Sequence, residues 1–236
     1  MRRRPLVSYF NPMNTLVELR VSPGERAEAI NIIKKPVGKM AWRLELALFV
    51  VPIILLNLPL LSGRFADSFM FVPAAVQAGE WWRLFTHPFV HVSWYHLLLD
   101  VTAFFMTYAE LRHRGWLERF GLVVGAGAGG LLAAWCTAPV VLTHGLCGLS
   151  GIAHGLMAVA GLELTQSRDR LLRGLGLASF GGVVIKCLIE ALTGEIVFAS
   201  WHLGWLGTPV AVCHAGGVVG ALLPWLILRA KRPGPL

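Results

Sequence analysis

Gly148-Leu149-Ser150-Gly151-Ile152-Ala153-His154-Gly155 opens an apolar run that ends at Gln166-Ser167-Arg168. The run after Ser150 holds about fifteen residues, which as a helix is roughly 22 Å long, short of a ~30 Å hydrocarbon core. The preceding Thr143-His144-Gly145-Leu146-Cys147 is rich in turn-permissive and polar residues. Together they predict a short membrane helix that begins below the outer surface, with Ser150 at its N-terminus. Irregular backbone at that depth is tolerated only where protein buries it or it lines a wet cavity. A helix start there offers unpaired N–H groups and the positive end of a dipole. The plainer alternative is a capping serine in a glycine-rich turn.

The rest of the chain has the same character. It has 236 residues, 56% hydrophobic and only 14% charged, which is too apolar for an ordinary water-soluble domain. The apolar residues fall in blocks of roughly 15–22, the length that spans a bilayer as a helix. Six spans are expected, at about 44–61, 93–109, 120–141, 150–165, 172–192 and 208–228. The fold class is therefore an all-α membrane protein, a six-transmembrane-helix bundle. Many of the 26 glycines lie inside the apolar blocks, which suits helices packed closely in lipid.

Charge gives the orientation. The net charge of +8 raises the question of nucleic acid, but Lys and Arg concentrate in the N-terminal tail and in short connections. Eighteen of the 21 fall on one side of the membrane if the N-terminus is inside, and only Arg64 and Arg83 fall outside. That asymmetry predicts both termini in the cytoplasm. Residues 1–40 read as a basic cytoplasmic tail, irregular, disordered or lying on the membrane surface, and 41–236 as the membrane domain. No signal peptide is evident in the tail. Met40, directly before Ala41-Trp42-Arg43, marks an alternative start. No long repeat suggests a transporter built from two halves. Cys136, Cys147, Cys187 and Cys213 show no CxxC spacing and read as packing residues.

Chemistry-bearing residues interrupt the apolar blocks. His214 lies in Cys213-His214-Ala215-Gly216-Gly217, with Gly217 and Ala221 on its own helical face. A histidine within a span is expensive and marks function by default. Neutral imidazole is suited to take a serine proton. The competing reading is a histidine hydrogen-bonded structurally between helices.

Trp82-Arg83-Leu84-Phe85-Thr86-His87-Pro88-Phe89-Val90-His91 leads to His96 and Asp100, which are four residues apart and share a helical face. Pro88 interrupts any helix through His87 and His91, and no H-E-x-x-H is present, so no metal is expected. Lys186 and Glu190 are also four apart within an apolar block. Two charges there are cheapest as an internal pair, and either a structural pair or a polar element near a substrate path fits.

Taken together, these motifs resemble the rhomboid family of intramembrane serine proteases over roughly residues 80–225. Trp82-Arg83 looks like the family's Trp-Arg pair in the first external loop. His91, His96 and Asp100 match a His-x4-His-x3-Asn pattern, with Asp where Asn is common. Glu110 and the glycine-rich helix after it resemble the family's Glu-containing loop and third helix. Gly148-Leu149-Ser150-Gly151 matches its Gly-x-Ser-Gly motif, and His214-Ala215-Gly216-Gly217 its His-x2-Gly. His154 stands where many rhomboids carry Tyr. With the Lys186–Glu190 pair, Ser-Gly-x-x-His-Gly looks more like the rhombosortase branch.

The resemblance implies an endopeptidase that cleaves a membrane-anchored protein within or near its transmembrane segment. For the rhombosortase branch it implies removal of a C-terminal Gly-Gly-type sorting anchor, in a bacterial inner membrane. Ser150 would be the nucleophile and His214 its base, as a dyad with no acidic orienter. His96, Asp100, Gly148, Leu149, His91 and His154 would form the oxyanion region and its support. An ionised Asp100 cannot donate to an oxyanion, so it would be protonated or would orient His96. No cofactor is implied. The rival reading is a catalytically inactive rhomboid-like protein that binds and escorts transmembrane clients.

Overall fold

The computed structural model describes residues 6–10, 16–20, 39–111, 114–197 and 199–230. Within the basic tail, β1 (Leu6–Phe10) pairs antiparallel with β2 (Leu16–Arg20), in the register Leu6 to Arg20. The sequence reading has this tail as irregular; two short segments of it instead pair as strands. The remaining tail residues lie outside the described ones.

From residue 39 on, the chain is helical. The helices are α1 (Lys39–Asn57), α2 (Pro73–Gln77), α3 (Arg83–Thr86), α4 (Trp94–Glu110) and α5 (Trp116–Thr137), followed by α6 (Val140–His144), α7 (Ser150–Leu164), α8 (Arg170–Thr193) and α9 (Val212–Ala230). Six of these have 15 residues or more. Four segments are long and apolar enough to cross a membrane: 40–62, formed by α1 and its 3-10 continuation, then α5, α8 and α9. A fifth is available if the segment Arg83–Phe89 and α4, bent by 95°, count as one span. The remaining long helix, α7, is the short one expected to start at Ser150, and it does start there.

α7 sits at the centre. Its Gly151, Ile152, Ala153, Gly155, Leu156, Ala158, Val159 and Gly161 are all buried, and the face that carries Ser150, His154 and Met157 is partly open. α4, α5, α8 and α9 surround it. Apolar side chains facing away from the bundle, such as Leu44, Leu48, Val124 and Leu188, are exposed, as lipid-facing residues are.

Glycines decide the packing of α9. On one side, a Cβ on Gly125 or Gly129 of α5 would run into the backbone of Gly220 in α9. On the other, a Cβ on Gly155 of α7 would lie 2.5 Å from the Gly217 carbonyl oxygen. α9 is thus held between α5 and α7 by backbone-to-backbone contact on two faces, which only small residues permit.

Polar groups pin both ends of the bundle. At the C-terminal end of α7, Arg119 is fully buried; its Nε donates to Glu45 at 2.8 Å, and its guanidinium lies over the Trp42 ring at 5.0 Å. Glu45 also accepts from the Tyr108 hydroxyl. Arg114 pairs with Glu163 and Glu118. The sequence reading treats Arg114 and Arg119 as loop charges; both are buried members of ion pairs joining α1, α4, α5 and α7.

At the other end, Arg83 is nearly buried and donates to the carbonyl oxygens of Asp67 and Met70, organising the long first connection. That connection meets the stretch before α7 through paired backbone bonds between Phe71 and Leu146. The Gly148 N–H donates to the His87 carbonyl at 3.0 Å. The irregular backbone before Ser150 is therefore satisfied by protein, as burial demands.

Candidate active site

Gly148 is where the chain turns into α7. Its φ is +99°, in the left-handed region that glycine adopts without strain. A Cβ there would lie 2.7 Å from Asp100 Oδ2 and 2.8 Å from His96 Nε2. The position thus requires glycine twice, for conformation and for space. Leu149 follows, fully buried, and Ser150 begins the helix half-buried.

Asp100 on α4 is a hub beneath this turn. Its Oδ2 accepts the Ser150 backbone N–H at 3.0 Å and lies 3.3 Å from His96 Nε2 and 3.4 Å from His91 Nε2. An unpaired N–H at a helix start attracts a carboxylate, by hydrogen bond and by dipole. The sequence reading paired Asp100 with His96; the bond to Ser150 spans fifty residues and is invisible to spacing. His91 is fully buried and meets the edge of the His96 ring, with centroids 5.0 Å apart. His96 is itself fixed at the start of α4, where its N–H donates to the capping Ser93 hydroxyl.

His214 approaches from α9. Its Nδ1 lies 2.7 Å from Glu190 Oε2. A carboxylate only accepts, so the shared proton resides on Nδ1, and in the neutral ring Nε2 is the nitrogen that bears the lone pair. The His154 ring stacks on the His214 ring at 4.1 Å, inclined by 18°. His154 Nδ1 in turn donates to the Ser150 carbonyl oxygen at 2.7 Å, which leaves its Nε2 to accept from Lys186 Nζ at 2.9 Å. Lys186 also donates to Glu190 Oε1 at 2.7 Å. Glu190 is fully buried and takes a further bond from the Val197 N–H.

A ring of contacts thus runs from Ser150 through His154, Lys186 and Glu190 to His214. Ser150, His154, Lys186 and His214, with His96 and Asp100, line one cavity of about 440 Å³. The connection between α8 and α9 covers one side of it and is tied to α4 by the Leu203 N–H on the Tyr95 hydroxyl. The polar bonds of Ser150 among the described residues are made by its backbone, and no direct hydrogen bond joins its hydroxyl to His214.

Glu190 makes the contact with Lys186 that its spacing predicts, and a second one that it does not. The sequence pairs it with Lys186 and points to no acidic partner for His214. The pairing with Lys186 follows from helical spacing; the pairing with His214 requires knowing which face of α8 meets α9. His154, Cys187 and Glu190 form a group with metal-ligand chemistry. The Lys186 ammonium already bridges His154 and Glu190, so a cation would meet a positive charge there. The four cysteines are free, with Cys187 and Cys213 buried.

The Rhomboid domain family model matches residues 78–230. The "Putative rhomboid protease YdcA" of Bacillus subtilis (strain 168) is 35% identical over 85 residues, covering 36% of this chain and 42% of that protein. The matched region begins just before the first-loop Arg83 and contains Asp100, Ser150, Glu190 and His214, so the whole site falls within it. Because the match covers more than half of its length, the chain belongs to the rhomboid family.

Proposed function

We propose that this protein is an intramembrane serine endopeptidase, with Ser150 as nucleophile and His214 as general base. The observation that carries this reading is the contact between α7 and α9. Ser150 and His214 stand beside the Gly151–Gly217 crossing, where the two backbones touch, and both open onto one cavity. A serine far from any base is a weak nucleophile; a neutral imidazole facing the same space removes that limit.

His214 Nε2 takes the Ser150 proton as Oγ attacks the scissile carbonyl. The carbonyl oxygen becomes an oxyanion near the first turn of α7, where backbone N–H groups and His96 are available to stabilise it. His214 then gives the proton to the leaving amine, and the acyl-enzyme remains on Ser150. Water, or another nucleophile in a sortase-like variant, releases it. Asp100 holds the Ser150 N–H in the resting site and keeps His96 in place beside it.

The substrate is a membrane-anchored protein cut within or near its transmembrane segment. Ser-Gly-x-x-His-Gly and the Lys186–Glu190 pair support the narrower rhombosortase reading, removal of a C-terminal Gly-Gly-type sorting anchor. We place the domain in a bacterial inner membrane as six spans with both termini cytoplasmic. Excluding the ion-paired Arg114 and Arg119 leaves the charge asymmetry intact.

Labelling with a fluorophosphonate tests the chemistry. Wild-type protein in detergent should label on Ser150, and Ser150→Ala should not. Co-expression with a Gly-Gly-tailed membrane protein, followed by mass spectrometry of its new C-terminus, tests the substrate. A folded wild type that binds such a client without labelling or cutting it would instead be an escort.

A further inference from the structure

We infer that Glu190 is a positioning residue of the site, acting on His214 so that serine, histidine and glutamate work as a unit; this rests on the protease reading above. The geometry has three parts. Glu190 Oε2 engages His214 Nδ1 at 2.7 Å, which fixes the tautomer and presents Nε2 to the cavity. Glu190 is itself immobilised, because Oε1 accepts from Lys186 and from the Val197 N–H. His154 stacks on the opposite partner of that bond and keeps the imidazole plane from turning.

A fully buried carboxylate is retained only where its partners compensate the lost hydration. If Glu190 served structure alone, Lys186 would be a sufficient partner. The second oxygen is instead given to the histidine that the chemistry uses. As His214 accepts the Ser150 proton at Nε2, the ring becomes a cation held 2.7 Å from a carboxylate. Glu190 stays ionised throughout, and its role is orientation and charge stabilisation, as for the acidic member of the serine–histidine–aspartate template.

Lys186 has a separate task. It ties Glu190 to His154, and through His154 to the Ser150 carbonyl. Its ammonium neutralises Glu190 in the resting site without contacting Nδ1 of His214. Losing Lys186 should therefore disturb stability more than chemistry, and losing Glu190 the reverse.

The test uses full-length protein in detergent and two readouts. The first is the fluorophosphonate labelling rate, separated into probe affinity and maximal rate, for wild type, Ser150→Ala, Glu190→Asp, Glu190→Gln and the control Gly182→Ala. Glu190→Gln should keep probe affinity and lose maximal rate by roughly 10²-fold or more, toward the ~10⁴ seen when the template loses its acid. Glu190→Asp should recover part of that loss, and Gly182→Ala, on the open side of α8, should label at the wild-type rate. If Glu190→Gln fails to fold, Lys186→Met/Glu190→Gln removes both charges together and takes its place.

The second readout is independent of activity. A far-downfield proton resonance from the His214 Nδ1–H···Glu190 bond should be present in wild type and in Ser150→Ala, and absent in Glu190→Gln. A folded Glu190→Gln that labels at the wild-type rate overturns the inference. So does a downfield resonance unchanged by Glu190→Gln. A wild type that never labels overturns the protease reading, and the resonance then decides the Glu190–His214 bond alone.

Discussion

Gly151 and Gly217 meet backbone to backbone where α7 crosses α9: a Cβ on Gly217 would fall on the Gly151 carbonyl, and one on Gly151 would lie 3.0 Å from the Cys213 carbonyl oxygen. Ser150 and His214 are the neighbours of these contacts in sequence. The distance between nucleophile and base is therefore set by a crossing with no side chain between the helices.

Gly217→Ala should force that crossing apart. The obstructing atoms are backbone, which cannot rotate away as a side chain would. Overpacking of this kind costs about 1–3 kcal/mol and shifts helices. Labelling of Ser150 should fall steeply and thermal stability should drop. Gly182→Ala, on α8 with nothing within 4 Å, is the control and should leave both unchanged. Wild-type labelling in folded Gly217→Ala would show that the crossing does not set the site.

Gly148→Ala tests the turn before the nucleophile. Alanine at φ +99° is strained, and its Cβ would press on Asp100 and His96. The expected outcome is loss of labelling with a smaller loss of stability, because the insult is local to the start of α7. Circular dichroism beside fluorophosphonate labelling separates the two effects.

Much of this was legible beforehand, for reasons that differ by residue. The short run after Ser150 placed a helix start there, because length alone limits how far fifteen apolar residues can reach. Helical spacing paired Lys186 with Glu190, since i and i+4 share a face whatever the fold. The bonds from Glu190 to His214 and from Asp100 to the Ser150 N–H were not legible. They join separate helices, and their partners depend on how each helix is rotated. Arg119 looked like a loop charge because its partners, Glu45 and Tyr108, lie 74 and 11 residues away in the chain. The long first connection reads as loop in sequence, and its organiser, Arg83, bonds to backbone carbonyls that carry no sequence signature.

Asp100→Asn should be tolerated better than Asp100→Ala. Asn keeps the size of Asp, and its oxygen can take the place of Oδ2, accepting the Ser150 N–H and staying beside His96 and His91. Ala leaves the Ser150 N–H and two buried imidazoles without their shared acceptor. Labelling rate and melting temperature should both rank wild type, Asn, then Ala. Loss of turnover in a folded Asn variant would assign Asp100 an ionic role.

Reporter fusions after residues 115, 170 and 236 should read as cytoplasmic, and those near 75, 143 and 200 as external. The prediction follows from the distribution of Lys and Arg. An external reading at 236 would mean that one of the shorter helices, α4 or α7, does not complete a crossing.

The pair Glu45–Arg119 allows the last test, away from the cavity. Arg119 is fully buried and Glu45 nearly so, and neither lines the space around Ser150. Removing one partner leaves an uncompensated charge, which costs roughly 3–5 kcal/mol. Glu45→Gln and Arg119→Met should each lower the melting temperature markedly. The triple variant Glu45→Met/Tyr108→Phe/Arg119→Met removes both charges and the hydroxyl that donates to Glu45, and leaves the Arg114 carbonyl oxygen, which accepts from Arg119, without that donor. It should recover much of the lost stability, because an apolar replacement of similar volume avoids the desolvation of both ions. Labelling of Ser150 should follow folding in all three variants, with no separate loss of rate. A stable triple variant that fails to label would show that the ion pair at the far end of α7 governs the site, and a single variant as stable as wild type would show that water reaches the remaining charge.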